Sequence, residues 1–356
     1  MGVLQTMEFK NRHKRNIKLF INYFLGPILF LWLSWSIYQQ LKHQPDVATA
    51  WRNIRSSFGS ASAVYLFSVV LLMIANWSLE ALKWKLLVYR IQQVSFFMAF
   101  KAILSGVAFS VTTPNRVGEY FGRILYMNEG NRLRAISVTI TGSLSQLMIT
   151  LGMGLAGLIC LRLPMQREGL IADPWLQLLI AGTAVILAFL TLFYFRIPWI
   201  VRAVDRLPGN RRFSWLISEL EQYNATLLMQ VLSLSAARFL IFVIQYYLLF
   251  RLFNVELQWR QVWSTVSVSF LVMAAIPTIA IFTDLGMRGE IMLQLLTLFS
   301  GNRLGIGLAA MAIWMINLII PALAGSLLIL SIRRIFKNKK GDRLAPWDER
   351  QEEETT

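Results

Sequence analysis

The chain has 356 residues, 56% of them hydrophobic and only 15% charged, with a mean hydropathy of +0.53. Soluble domains carry about a quarter charged residues, so this balance argues against a soluble globular protein and for an all-α polytopic membrane protein. The net charge of +16 could signal nucleic acid, but its placement does not.

Basic residues gather at the two ends, as Lys10, Arg12, Lys14, Arg15 and Lys18 and again as Arg333, Arg334, Lys337, Lys339, Lys340 and Arg343. That is the positive-inside pattern, which predicts both termini in the cytoplasm. The same clusters suit anionic lipid headgroups, so membrane lipids rather than nucleic acid are the expected partners. Cys160 is the only cysteine, and His13 and His43 lie outside the predicted spans. Neither a disulfide within the chain nor a thiolate or histidine metal site is expected, and nothing calls for a cofactor.

In chain order, residues 1–18 form a basic arm and residues 19–38 the first span, too long and too poor in small residues at its end for a cleaved signal peptide. The second span covers 61–82 and ends at Lys83-Trp84-Lys85, read as a basic and aromatic belt at the cytoplasmic interface. Residues 96–111 are apolar but stop at Pro114, and Glu119 and Arg123 interrupt the apolar stretch that follows. A full crossing here would put the basic residues 116–134 outside, against the charge rule. A re-entrant hairpin turning near Pro114 and Gly118 avoids this.

The next span, 136–161, holds Gly142, Gly152, Gly154 and Gly157 and reads as a helix packed closely in the bundle. Residues 175–195 return the chain to a basic loop, in which 213–229 is either an interfacial amphipathic helix or a solvent-facing one. Residues 232–250 cross again, with Arg238 near the inner interface. A second broken element follows: an apolar arm over 262–276, a break at Pro277, then Asp284, Gly286, Arg288, Gly289 and Glu290 before another apolar arm. The last span, 304–332, contains Asn317 and Pro321, and residues 333–356 form a charged tail. The expected architecture is about six full transmembrane helices plus two opposed re-entrant hairpins within one domain, 19–332.

Charge at membrane depth marks a functional site by default, and paired interrupted segments in the two halves of a chain point to a transporter site. Arg116, Arg123 and Arg288 are candidate phosphate contacts, because a guanidinium donates paired hydrogen bonds and keeps its charge when buried. Glu119, Asp284 and Glu290 are candidates to balance them, hold a headgroup amine or carry a proton. Pro114, Gly118, Pro277, Gly286 and Gly289 are the expected turn residues. The competing reading is that Arg116–Glu119 and Arg288–Glu290 are local ion pairs that close the hairpins. Trp84 is expected as an interface anchor and Asn317 as a hydrogen-bonding partner to a neighbouring helix. No nucleophile–base or paired-ligand pattern occurs, so an enzyme is not expected.

The segments Lys83-Trp84-Lys85-Leu86-Leu87, Pro114-Asn115-Arg116-Val117-Gly118-Glu119 with Arg123, Pro277 through Asp284-Leu285-Gly286-Met287-Arg288-Gly289-Glu290, and a final span with Asn317 and Pro321 resemble those of a known family. They are similar to the flippase-like transmembrane domain of the lysylphosphatidylglycerol synthase/flippase family. Asn115 stands where that family usually has Gly, and residues 278–283 replace its adjacent glycines. The resemblance implies a bacterial cytoplasmic-membrane protein, and a stand-alone flippase-like one without the soluble synthase domain. It would move an anionic or aminoacylated polar lipid through a cavity between the hairpins. The alternative it leaves open is a non-transporting subunit that binds a lipid-modifying enzyme or glycosyltransferase partner.

Overall fold

The computed structural model describes residues 35, 63–111, 113, 117–197, 220, 223–276 and 281–329, with backbone alone over 281–284. Every regular element among them is helical. They comprise α1 (Ala63–Val88), α2 (Phe96–Ser110), α3 (Gly118–Ile124), α4 (Arg132–Arg167), α5 (Asp173–Phe195), α6 (Ala225–Leu252), α7 (Trp259–Ala275), α8 (Ile281–Leu296) and α9 (Arg303–Trp314). A π-helical segment, Met315–Ile319, extends α9, and the combined helix runs to Ile329.

Five of these stretches are long and apolar enough to cross a membrane: α1, Glu129–Arg167, α5, α6 and Arg303–Ile329. The shortest has 23 residues, about 35 Å at the helical rise, against a hydrocarbon core of roughly 30 Å. With no strands among the described residues, the chain is an all-α, multi-pass membrane protein. The expected first span, 19–38, apart from residue 35, the arm 1–18, most of the loop before α6 and the tail 333–356 lie outside the described residues.

Helix starts follow local chemistry. Ser95 caps α2 by accepting from the Met98 N–H at 3.2 Å, Asn224 caps α6 through Leu227 at 2.8 Å, and Asn302 caps α9 through Gly305 at 2.9 Å. At α7, Gln258 and Gln261 form a reciprocal capping box, which satisfies two N–H groups that the first turn leaves open. The cap at Asn224 changes one sequence expectation: Ala225 to Met229 belong to the crossing helix α6, not to a separate amphipathic helix.

The middle of the bundle is the antiparallel pair α1 and α6. Gln245 Nε2 donates to the Val69 carbonyl at 2.9 Å, and at the other end the Tyr223 hydroxyl donates to the Leu87 carbonyl at 2.7 Å. Helix α4 packs on both and on α7, while α5 packs on the outside of α4. Burial ranks them: 67% of the residues in the most apolar window of the last span are buried, against 11% for α5. The last span is thus central, and α5 turns most of its apolar surface to lipid.

The two broken elements are helix pairs. Helices α2 and α3 pack against each other, as do α7 and α8, and each of the four has fewer than 18 residues. A Cβ on Gly122 would collide with the backbone of Gly106, and one on Gly106 would lie 2.9 Å from the Glu119 carbonyl oxygen. Only glycine lets α2 and α3 touch backbone to backbone. Gly157 does the same for α4, where a Cβ would sit 2.8 Å from the Ser264 carbonyl oxygen of α7.

Candidate functional site

A carboxylate on α1 organises the interior. Asn76, Glu80 and Lys83 fall at intervals of four and three residues, so they share one face of α1. That face meets α3, α4 and α6. Glu80 is 4% exposed, Lys83 1%, Arg123 5% and Arg238 8%. Lys83 Nζ lies 2.7 Å from Glu80 Oε2, and Arg123 Nη2 donates to Glu80 Oε1 at 2.9 Å. Arg238 Nη1 also donates to Glu80 Oε2. One buried carboxylate therefore holds three cations drawn from three helices.

Further bonds hold the cations in place. Arg123 Nη2 reaches Glu119 Oε2, one turn back on α3, at 3.0 Å. Arg238 Nε donates to Asn76 Oδ1 at 2.9 Å and Nη1 to Gln146 Oε1 of α4 at 3.3 Å, while its guanidinium lies 5.5 Å from the centre of the Trp77 ring. Lys83 Nζ donates to Ser235 Oγ at 3.4 Å, and Ser235 shares a 2.8 Å hydrogen bond with Ser145 of α4. Ions in low dielectric are tolerated only when paired and hydrogen-bonded in this manner.

The cluster forms part of the wall of a cavity of about 470 Å³. Helix α1 contributes Trp77, Glu80 and Lys83, α3 contributes Glu119, Tyr120 and Arg123, and α4 contributes Ser143, Gln146 and Thr150. Arg238 and Phe242 come from α6, Phe270 and Met273 from α7, and Arg288 from α8. Trp314, Asn317 and Leu318 line it from the end of α9 and its π-helical segment. That segment ends with the Ile320 N–H bonded to the Met315 carbonyl. The next residue, Pro321, has no N–H with which to continue an α-helical ladder to the Asn317 carbonyl. A π-bulge is a common way to aim side chains into a site.

The sequence-predicted residues divide. Glu119, Arg123 and Arg288 all line the same cavity, so described residues of both broken elements meet there. Glu290 does not: it is exposed and accepts from Gln294 Nε2 at 2.8 Å, one turn along α8. Arg116, Pro114 and Pro277 lie outside the described residues, as does the side chain of Asp284. Gly118 opens α3, its N–H bonded to Thr113 Oγ1 at 2.7 Å. Gly286 and Gly289, expected in a turn, lie inside α8 instead. After Pro277 the apolar spacing of Leu285, Met292, Leu295 and Leu296, all buried, holds the chain helical through both glycines.

Three expectations are corrected, one each on α1, α6 and the π-helical segment. Trp84 is fully buried, and its Nε1 donates to Thr139 Oγ1 of α4 at 3.1 Å. It is an interior packing residue, not an interface anchor, because α1 continues to Val88 and carries Lys83 and Trp84 inward. Arg238 sits in the middle of α6, not near its end, because α6 begins seven residues earlier than the apolar pattern indicated. Asn317 Nδ2 bonds within its own helix, to the Ile313 carbonyl at 3.4 Å, and not to a neighbour.

Glu80, the hub, was missed from sequence. Its signal was a lone carboxylate one helical turn after Asn76 and three residues before a lysine, within an apolar span.

The family model described as the lysylphosphatidylglycerol synthase TM region matches residues 23–348. No curated protein matches the chain.

Proposed function

Because the chain belongs to the lysylphosphatidylglycerol synthase TM region family, a family of lipid-handling membrane proteins, we propose that it is a lipid translocase of the cell membrane. It would carry the headgroup of an anionic or aminoacylated polar lipid through the cavity while the acyl tails stay in the bilayer. The observation that carries this reading is the polar cavity itself, with Lys83, Arg123 and Arg238 gathered on Glu80 among apolar spans.

A headgroup entering hydrocarbon loses its water, and each unmet polar group there costs several kcal/mol. Fixed cations and hydroxyls in the cavity wall replace that water. The volume lies within the roughly 300–1,000 Å³ of small-molecule sites, which is room for a headgroup but not for whole lipid tails. The wall is assembled from both broken elements, α3 on one side and α8 on the other. A shift of either pair would open the cavity to a different neighbour and give alternating exposure, as rocking of one repeat against another does in transporters.

The test is reconstitution of the full chain into vesicles containing a headgroup-labelled lipid, with and without a proton gradient. The reading expects label to change leaflets faster than in protein-free vesicles. Arg123→Gln, compared at equal reconstitution, should slow it by about tenfold or more, the size of one lost hydrogen bond to a charged group. Equal rates with and without protein under both conditions would defeat the reading.

A further inference from the structure

We propose that Gln146 contacts the substrate: its side-chain amide donates a hydrogen bond to an acceptor oxygen of the lipid headgroup. This rests on the translocase reading and gives that cavity a substrate-contacting residue outside the charged cluster.

Helix α4 turns a neutral polar face to the cavity. Ser143, Gln146 and Thr150 lie at intervals of three and four residues, so they share one side of the helix, and all three line the wall. Two of them are occupied. The Ser143 hydroxyl bonds with Tyr120 and reaches the Thr139 carbonyl at 3.4 Å, and Thr150 Oγ1 donates to the Gln146 carbonyl at 3.0 Å. Gln146 differs from both. It is half-buried, and its side-chain amide is engaged at one end only.

Arg238 decides which end. Its Nη1 donates to Gln146 Oε1 at 3.3 Å. A guanidinium has donors and no acceptor, so only the amide oxygen can face it. The reversed amide would set N–H against N–H. Arg238 does not turn aside for the glutamine, because Glu80 and Asn76 hold it as well. The amide nitrogen is therefore directed away from the guanidinium. Nε2 donates to no described group, and it is not sealed in protein. It belongs to a residue of the cavity wall, so its N–H donors stand open there.

Such donors suit an acceptor. An ammonium has none, whereas phosphate, ester and hydroxyl oxygens all accept. An aminoacylated phospholipid also carries phosphate and ester oxygens, so this contact reads oxygen and not net charge. An amide already fixed before the ligand arrives loses little conformational freedom on binding.

The experiment reconstitutes the full chain in vesicles with labelled phosphatidylglycerol, and separately with a labelled diglucosyl diacylglycerol, whose headgroup has hydroxyls but no phosphate. Gln146→Glu keeps an acceptor for Arg238 and loses the donor. Gln146→Met adds no charge and loses both. Both variants should melt close to the unchanged protein, since Glu80 and Asn76 still hold Arg238. Both should slow movement of the label by about three- to tenfold, the size of one neutral hydrogen bond. A loss confined to phosphatidylglycerol would assign the contact to phosphate oxygens, and a loss with both lipids to hydroxyl or ester oxygens.

An unchanged rate in Gln146→Met would overturn the proposal. So would an unchanged rate in Gln146→Glu, because Gln146 would then act only by holding Arg238. If Gln146→Met melts early, Gln146→Glu decides alone. Either overturning result leaves the translocase reading standing, since label still moves. If the unchanged protein moves neither lipid, that reading fails instead. Retention of the same lipids in native mass spectrometry then tests the contact, and equal retention by Gln146→Met defeats it.

Discussion

Glu80 carries more of this interior than any other single side chain. Replacing it with alanine strands Lys83, Arg123 and Arg238, each less than a tenth exposed. Removing one partner of a buried ion group costs about 3–5 kcal/mol, so Glu80→Ala should show a large fall in thermal stability in detergent. A neutral effect would mean that the three cations are held by other groups. Trp84 makes a second residue-level prediction. As a packing residue bonded to Thr139, its replacement by alanine should cost about 3–5 kcal/mol. An interface anchor would show almost no loss in detergent. The sequence displayed both residues, but composition hid their roles. A single glutamate within an apolar run reads as noise until Asn76, Glu80 and Lys83 are set on one helical face. Arg238 was visible as a charge, but its depth depended on where α6 begins, and the Asn224 cap fixes that.

Glycine means different things in the two broken elements. Between α2 and α3 it permits backbone contact, and this holds Arg123 at Glu80. Gly122→Ala drives a methyl group into the backbone of Gly106. Overpacking of that kind costs about 1–3 kcal/mol, and it should also slow translocation, because α3 would move away from α1. In α8, Gly286 has nothing within 4 Å of the position a Cβ would take. Gly286→Ala should therefore stabilise the protein by about 0.5–1 kcal/mol through helix propensity alone. A turn glycine at that position would give the opposite sign. Thermal melts of these two variants, side by side, separate a helical Gly286 from the turn that the charge pattern suggested. The apolar periodicity of Leu285, Met292 and Leu296 was in the sequence, but Pro277 and the nearby charges outweighed it.

At the scale of the whole molecule, the five apolar stretches long enough to cross a membrane were legible from hydropathy, and the family from a few short motifs. Span ends were less legible, because Lys83 and Arg238 look like termini when their ion partners are unknown. The cavity was legible only in part: Glu119, Arg123 and Arg288 were visible as candidates, but the contributions of Glu80, Lys83 and Arg238 were not, since the wall brings together residues from α1 through the π-helical end of α9. Its wall gathers Lys83, Arg123 and Arg238 on Glu80, and charged thiol reagents report on that cation cluster most directly. Ser143 lines the cavity, is exposed and shares a 3.2 Å hydrogen bond with Tyr120. With Cys160 replaced by serine, Ser143→Cys should react in intact vesicles of both orientations taken together. An anionic sulfonatoethyl reagent should modify it several times faster than a cationic trimethylammonium one of similar size. The preference should shrink as salt screens the field. No modification by either reagent, or a faster reaction with the cation, would contradict the account.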